Sequence, residues 1–397
     1  MTVMTEESAP AAQASDGKII CELDGARVHS VQLHLKNNHP GITLDDYQKK
    51  FPGAPILSEF AKKRLKEAQD SKVKAAANAV IHGKKGFDQQ ALHEVFDLGA
   101  AKAAMNARGQ PIMIDVMVDW DEEGESLIPD VDPNYIFSIE LVKSVLIGWK
   151  LGMTAYFWGY HGSGKTTIFE QCAARTKRPF LRVQHTINTE EAHVLGQWTV
   201  KNGETVYQLG PLPMAMINGW IYCADEYDFA PPSVTSLYQP VLEGKALVIK
   251  DAPPELRVIR PHPNFRIVAT GNTNGSGDET GLYQGTQIQN AANYSRFNIV
   301  EEVQYLEPKV ETTVVAGQAG IERKDAENLI NFGTEVRKMF AGGKIGATIS
   351  TRELITSAKL GMVLGSDWKM GLRKGFINRM SRVDQEVCLQ YAQRLFG

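Results

Sequence analysis

Gly159-Tyr160-His161-Gly162-Ser163-Gly164-Lys165-Thr166 constrains this chain more than any other stretch, because it is a complete G-x-x-x-x-G-K-T phosphate-binding loop. Thr154 to Trp158, just before it, is aromatic and apolar like a buried strand, and Lys165 to Arg175 reads as a helix. The loop needs that setting. Its glycines let backbone N–H groups curl around phosphate oxygens, and the helix N-terminus adds the positive end of its dipole. The expected cradle is Gly159, His161, Gly162, Ser163, Gly164, Lys165, Thr166 and Thr167. Lys165 then reaches the β and γ phosphates of ATP, and the Thr166 hydroxyl holds Mg²⁺.

Two later apolar runs end in residues that belong with this loop. Ile221-Tyr222-Cys223-Ala224-Asp225-Glu226 reads as a buried parallel strand delivering carboxylates at its C-terminal edge, where open α/β sheets bind ligands. Asp225 is expected to hold Mg²⁺ through water, and Glu226 to polarise the water that attacks the γ-phosphate. Phe265 to Thr270 reads as a third strand, and the amide of Asn272 after it can sense the γ-phosphate. An acidic pair can simply start a loop, and Asn beside Gly can simply turn. The order strand-loop-helix, strand-Asp-Glu, strand-Asn points instead to nucleotide hydrolysis.

Arg296 lies between the third strand and the apolar run Ile299 to Tyr305, where an arginine finger leaves one subunit for its neighbour's γ-phosphate. Arg352 opens a predicted helix with Ser350 or Thr351 as its cap, and can reach the nucleotide from a lid. A surface salt bridge is the alternative for each.

The composition, 397 residues with 43% apolar and 22% charged, suits a soluble protein of two or three domains, with no membrane span. A net charge of −3 gives no global attraction to nucleic acid. Cys21, Cys172, Cys223 and Cys388 are far apart with no C-x-x-C pair, which predicts reduced thiols and a cytoplasmic setting. The expected division is a disordered tail (1–17), a small module (18–66), a helical and linker region (67–130), an α/β core (131–307) and a helical lid (308–397). The acidic run Asp119 to Glu125 reads as a solvated loop. Two hairpins are expected inside the core, Trp198–Val200 with Thr205–Tyr207 around Asn202-Gly203, and Ala246–Lys250 with Leu256–Arg260.

From about Ile128 to Gly397 the chain resembles the CobS-type subunits of aerobic, ATP-dependent cobaltochelatase, in the MoxR-like, dynein-related group of AAA+ ATPases. The resemblance rests on Ile128-Pro129-Asp130-Val131-Asp132-Pro133, the phosphate loop, Asp225-Glu226-Tyr227-Asp228 and Val258-Ile259-Arg260-Pro261-His262-Pro263. It continues through Thr270-Gly271-Asn272-Thr273, Gly281-Leu282-Tyr283-Gln284-Gly285-Thr286, Ser295-Arg296-Phe297 and the closing Tyr391 to Gly397. It implies a P-loop AAA+ core, a parallel sheet flanked by helices, with a C-terminal helical lid, assembled as a hexameric ring using ATP and Mg²⁺. The implied partners are a von Willebrand A domain protein and a large chelatase-type subunit that holds the corrin. The resemblance also makes Arg296 the finger and Arg352 the lid sensor.

Ahead of that region, Cys21, Asp24, His34 and His39 are spaced C-x2-D-x9-H-x4-H. The spacing resembles the Ros/MucR type of prokaryotic zinc finger, and Zn²⁺ accepts a thiolate, a carboxylate and two imidazoles. A small helical module with surface histidines is the alternative. If the module binds nucleic acid, Lys62, Lys63, Arg64, Lys66, Lys72 and Lys74 can contact phosphates. The sequence therefore leaves two readings, a chelatase motor or a remodelling ATPase recruited to another protein or nucleic-acid client.

Overall fold

Five strands organise the larger part of the molecule: β1 (Ala155–Trp158), β2 (Phe180–Gln184), β3 (Ile221–Asp225), β4 (Arg266–Gly271) and β5 (Ile299–Glu302), with β1, β3 and β4 the apolar centre and β2 and β5 half-exposed. They form one parallel sheet in the order β5-β1-β4-β3-β2. Every residue of β3 is buried, as expected of a parallel strand covered on both faces. Gly271 of β4 pairs with Trp158 of β1, and Ala269 with Ala224 of β3. The register therefore brings the ends of β1, β3 and β4 to one rim.

The computed structural model describes residues 17–64, 86–99, 102–201 and 203–397. Residues 1–80 and 81–397 form separate compact units. The tail 1–16 and residues 65–85, including Lys66, Lys72 and Lys74, lie outside the described residues.

Helix α1 (Lys165–Arg175) buries Ile168, Phe169, Cys172 and Ala173, with the Phe169 ring centroid 4.4 Å from that of Phe157 on β1. Both expected hairpins form, as Gly196–Lys201 with Glu204–Leu209 and Leu247–Val248 with Val258–Ile259. The strands expected to reach Thr154 and Tyr305 are shorter, and Gly271 joins β4.

The stretch read as helical and linker is different. Gly86–Ala91 pairs antiparallel with Met113–Val118, and Leu92, Phe96 and Ile114 join the core beside Val142 and Trp149. Five of the six residues in Gly86–Ala91 are exposed, so that strand carries no alternation of its own; its apolar partner holds it. The acidic run is partly ordered too, with Asp121 capping the short helix Glu122–Ser126 through the Gly124 N–H at 2.8 Å.

After the sheet come helices only: α2 (Pro308–Ala319), α3 (Arg323–Ala341), α4 (Thr351–Val363), α5 (Trp368–Gly375) and α6 (Arg382–Phe396). Buried Glu311 ties three of them together. It accepts two bonds of 2.7 Å from the Arg337 guanidinium on α3 and one of 2.6 Å from Thr351 on α4. A buried carboxylate persists only with such pairing.

In the smaller unit Ile19–Ile20 pairs antiparallel with Arg27–Val28, ahead of helices Val31–Asn38 and Leu44–Lys50. Its core is Cys21, Val31, Leu35 and Tyr47.

Candidate active site: the nucleotide cleft

The phosphate loop is shaped by backbone that only glycine adopts cheaply. Gly159, Gly162 and Gly164 have φ of +145°, +66° and +95°. A Cβ on Gly162 would lie 2.6 Å from Ser350 Cβ, and one on Gly159 2.4 Å from the Val303 carbonyl oxygen. The loop is thus clasped between the start of α4 and the exit of β5.

Lys165 donates from Nζ to Gly159 O at 2.8 Å, Tyr160 O at 3.0 Å and Asn272 Oδ1 at 3.1 Å. Burial brings its pKa down from 10.5 to about 8. Asp225 Oδ1 accepts from Thr166 Oγ1 at 2.7 Å and from Thr270 Oγ1, while Oδ2 accepts from Arg182 Nε at 2.7 Å. Burial opposes its ionisation, but the bonds from Thr270, Thr166 and Arg182 outweigh it and hold the carboxyl below its usual range.

Glu226 follows β3 with φ of +51°, left-handed backbone that a non-glycine residue occupies at a cost on the order of 1 kcal/mol. Its carboxylate accepts from Gln184 Nε2 at 2.9 Å. Asn272 is fixed from behind: its N–H donates to Asp228 Oδ2 at 2.8 Å, an oxygen that also takes the Thr273 N–H and hydroxyl. Burial raises the Asp228 pKa.

Lys165, Thr166, Asp225, Glu226, Thr270 and Asn272 border a cleft of about 570 Å³. Its walls include Asn134 and Tyr135 from the segment ahead of the sheet, Gln318 of α2, and Arg352 and Lys359 of α4. Ser350 caps α4 in a capping box with Glu353, which sets Arg352 in the first turn beside the loop. Three left-handed glycines, the start of α1, a buried ammonium and the unpartnered Ser163 Oγ suit a polyphosphate, and Thr166 with Asp225 suits Mg²⁺.

Residues 156–297 match the AAA domain (dynein-related subfamily), and residues 311–387 match the CbbQ/NirQ/NorQ C-terminal domain. Aerobic cobaltochelatase subunit CobS from Sinorhizobium sp is 34% identical over 293 residues, 71% of this chain and 87% of that protein. The chain belongs to the CobS/NorQ-type AAA+ ATPases. Protein NorQ from Paracoccus denitrificans is 29% identical over 202 residues, 51% of this chain and 71% of its own. A solved RuvB mutant from Thermotoga maritima aligns with 67% of this chain and 73% of its own, at 14% identity and a TM-score of 0.39.

As an AAA+ ATPase, this protein hydrolyses ATP, and family membership implies Mg²⁺ with it. The structure gathers the residues singled out from the sequence, His161 to Thr167, Asp225, Glu226, Asn272 and Arg352, along the one cleft, with the Gly159 carbonyl on Lys165. Arg296 stands apart from them. It donates from Nε to Glu243 at 2.7 Å and from Nη1 to Ala292 O.

Sequence reasoning missed Arg182 and Gln184, which fix the two carboxylates. A signal was present: in Phe180-Leu181-Arg182-Val183-Gln184 the polar residues fall two apart and share a face. Lys359 and Asn134 carry no comparable signal, since only the folded chain brings the lid and the segment ahead of the sheet to the nucleotide cleft.

In the smaller unit, ligand atoms of Cys21, Asp24 and His34 lie within 4.8 Å of one another. Asp24 Oδ2 is 2.7 Å from His34 Nε2 and 2.9 Å from His39 Nε2. The bonds from His39, the Ala26 N–H and His34 hold Asp24 well below the usual carboxylate range. Cys21 is buried. Of the basic residues that are described, Lys62 pairs with Glu59 at 2.8 Å and the Arg64 guanidinium lies 5.6 Å from the Phe60 ring centroid. Among the described residues no helix is long and apolar enough to cross a membrane.

Proposed function

We propose that this chain is the motor subunit of an ATP-dependent cobaltochelatase, a hexameric ring whose ATP hydrolysis remodels a partner complex so that Co²⁺ enters a corrin. The observation that carries this reading is 34% identity spread over 87% of a protein named as a cobaltochelatase subunit. The expected partners are a von Willebrand A domain protein and a large corrin-holding subunit.

Hydrolysis proceeds by in-line attack of water on the γ-phosphate, with the site supplying position and charge. Lys165 exchanges the Gly159 and Tyr160 carbonyls for phosphate oxygens. Thr166 and Asp225 would hold Mg²⁺, which would supply positive charge to neutralise the phosphates. Arg182 and Thr270 keep Asp225 ionised for that purpose. Glu226 orients the water and takes its proton, and the Asn272 amide fixes the γ-phosphate side of the pair. Arg352 from the lid and a neighbour's Arg296 stabilise the transferring group.

A second reading has an observation of its own. The cluster of Cys21, Asp24, His34 and His39 lies in a unit that neither family match reaches. We read it as a Zn²⁺ site in a recruiting module, and a ring carrying such a module can serve another protein or a nucleic-acid client. Capture from source-cell lysate with Glu226→Gln protein in ATP separates the two. Recovery of a von Willebrand A protein with a large chelatase subunit supports the cobalt reading; another client, or DNA, in their place overturns it.

A further inference from the structure

The amino-terminal edge of the sheet, opposite the rim that carries Asp225 and Asn272, holds a second cleft, of about 170 Å³. Leu92, Ile112, Ile114 and Leu146 form its apolar wall, and Trp149 and Arg178 line it with them. Arg178 precedes β2 and is 7% exposed. Its guanidinium lies 5.7 Å from the Trp149 ring centroid. Its Nε is buried without a hydrogen-bond partner, as is Trp149 Nε1. Among the described residues nothing hydrogen-bonds or ion-pairs with that guanidinium.

A buried cation without a partner is costly, and proteins rarely keep one unless something answers it. Burial lowers the Arg178 pKa to about 10, with the Arg266 charge pushing the same way and Asp115 opposing both. The group therefore stays charged at neutral pH. Asp115 already takes the Gln89 side-chain amide. Lys150 and Lys143, the latter paired with Glu140 at 3.5 Å, also border the cleft. The Arg266 guanidinium, by contrast, is taken up by the carbonyls of Trp149, Pro263 and Phe265. Arg178 has the Trp149 ring beside it but, among the described residues, no hydrogen bond or ion pair at its guanidinium.

We propose that this cleft binds a small organic carboxylate. The carboxylate pairs with Arg178, and its hydrocarbon body packs on Leu92, Ile112, Ile114 and Leu146. The space suits an acid of a few carbons rather than a lipid. Inorganic anions lack the body that the apolar wall would cover, and neutral analogues lack the charge. Arg178 follows the end of α1, the helix that begins at Lys165, so an occupied cleft is joined to the phosphate loop through one rigid element.

The test is equilibrium binding to the full chain, by calorimetry and thermal shift, of formate, butyrate, pentanoate and benzoate, with butyramide and inorganic phosphate as controls. Saturable binding of the longer acids is expected, tightening about threefold to fourfold for each added methylene. Butyramide and phosphate should not compete. Arg178→Gln should weaken butyrate by at least about tenfold, the effect of losing a charge-assisted contact. Ile112→Phe, which fills the cleft and leaves Arg178 in place, should do the same if the glutamine variant does not fold. No saturable binding by the wild type, equal binding of butyramide or phosphate, or unchanged affinity in a folded variant would each overturn the proposal.

Discussion

Gln184 at the end of β2 donates its side-chain amide to the carboxylate of Glu226 at 2.9 Å, so the proposed general base is turned toward a neighbouring strand. The left-handed backbone of Glu226, φ +51°, sets that direction. A carboxylate so engaged is less available to a water molecule.

Gln184→Ala should therefore raise basal ATP turnover, by roughly twofold to tenfold, part of the strength of one solvent-exposed hydrogen bond to a carboxylate. Steady-state phosphate release without partners checks this. An unchanged or lower kcat contradicts a restraining role.

Gly162 meets the lid where a side chain cannot fit. Gly162→Ala places a Cβ 2.6 Å from Ser350 at a φ of +66°, which adds strain on the order of 1–3 kcal/mol. Nucleotide affinity should fall about tenfold or more while the fold survives. Titration with a fluorescent ATP analogue, beside circular dichroism, separates the two effects.

Burial depresses the Lys165 pKa from 10.5 to about 8, which gives a pH dependence of definite sign. Only the protonated form pairs with phosphate, so ATP affinity should be flat below pH 8 and fall above it by up to about tenfold per unit. Between pH 8 and 10.5 the unfolded chain binds more protons at this site than the folded one, so its contribution to stability rises with pH. Lys165→Arg, whose charge does not titrate there, should flatten the binding curve.

Arg296 is held by Glu243 within its own chain and lies outside the cleft that holds Lys165. If it serves a neighbour, Arg296→Ala keeps ATP binding and loses most hydrolysis. Mixing Arg296→Ala with Glu226→Gln subunits should then recover part of the activity, because some interfaces pair an intact finger with an intact acid. No recovery on mixing counts against action between subunits.

The cluster around Asp24 predicts about one Zn²⁺ per chain, measured by elemental analysis after purification without added metal. Asp24→Asn or Cys21→Ala should lower that content well below the wild-type value. A metal-free wild type that stays metal-free after zinc exposure would remove the assignment.

The nucleotide cleft was legible because its chemistry is local. Gly159 to Thr166, Asp225-Glu226 and Asn272 each follow an apolar strand, and strand order alone brings them to one rim. What the sequence hid depends on pairing between distant segments. Gly86–Ala91 is a strand only because Met113–Val118 lies beside it, and the acidic run after it masked that partner. Arg182, Gln184 and Lys359 are ordinary surface residue types until β2 and α4 are placed. Arg178 gives no sequence signal, since its importance lies in a hydrogen bond it lacks.

The account rests most heavily on Glu226 as the group that activates water beside bound ATP. The direct measurement is Mg²⁺-dependent ATP hydrolysis by the wild type and by Glu226→Gln, with nucleotide affinity measured on the same preparations. The account predicts equal ATP binding and a turnover reduced at least a hundredfold or so in the variant, as for loss of a general base. Wild-type turnover in Glu226→Gln, or a wild type that binds ATP and does not hydrolyse it, would contradict it.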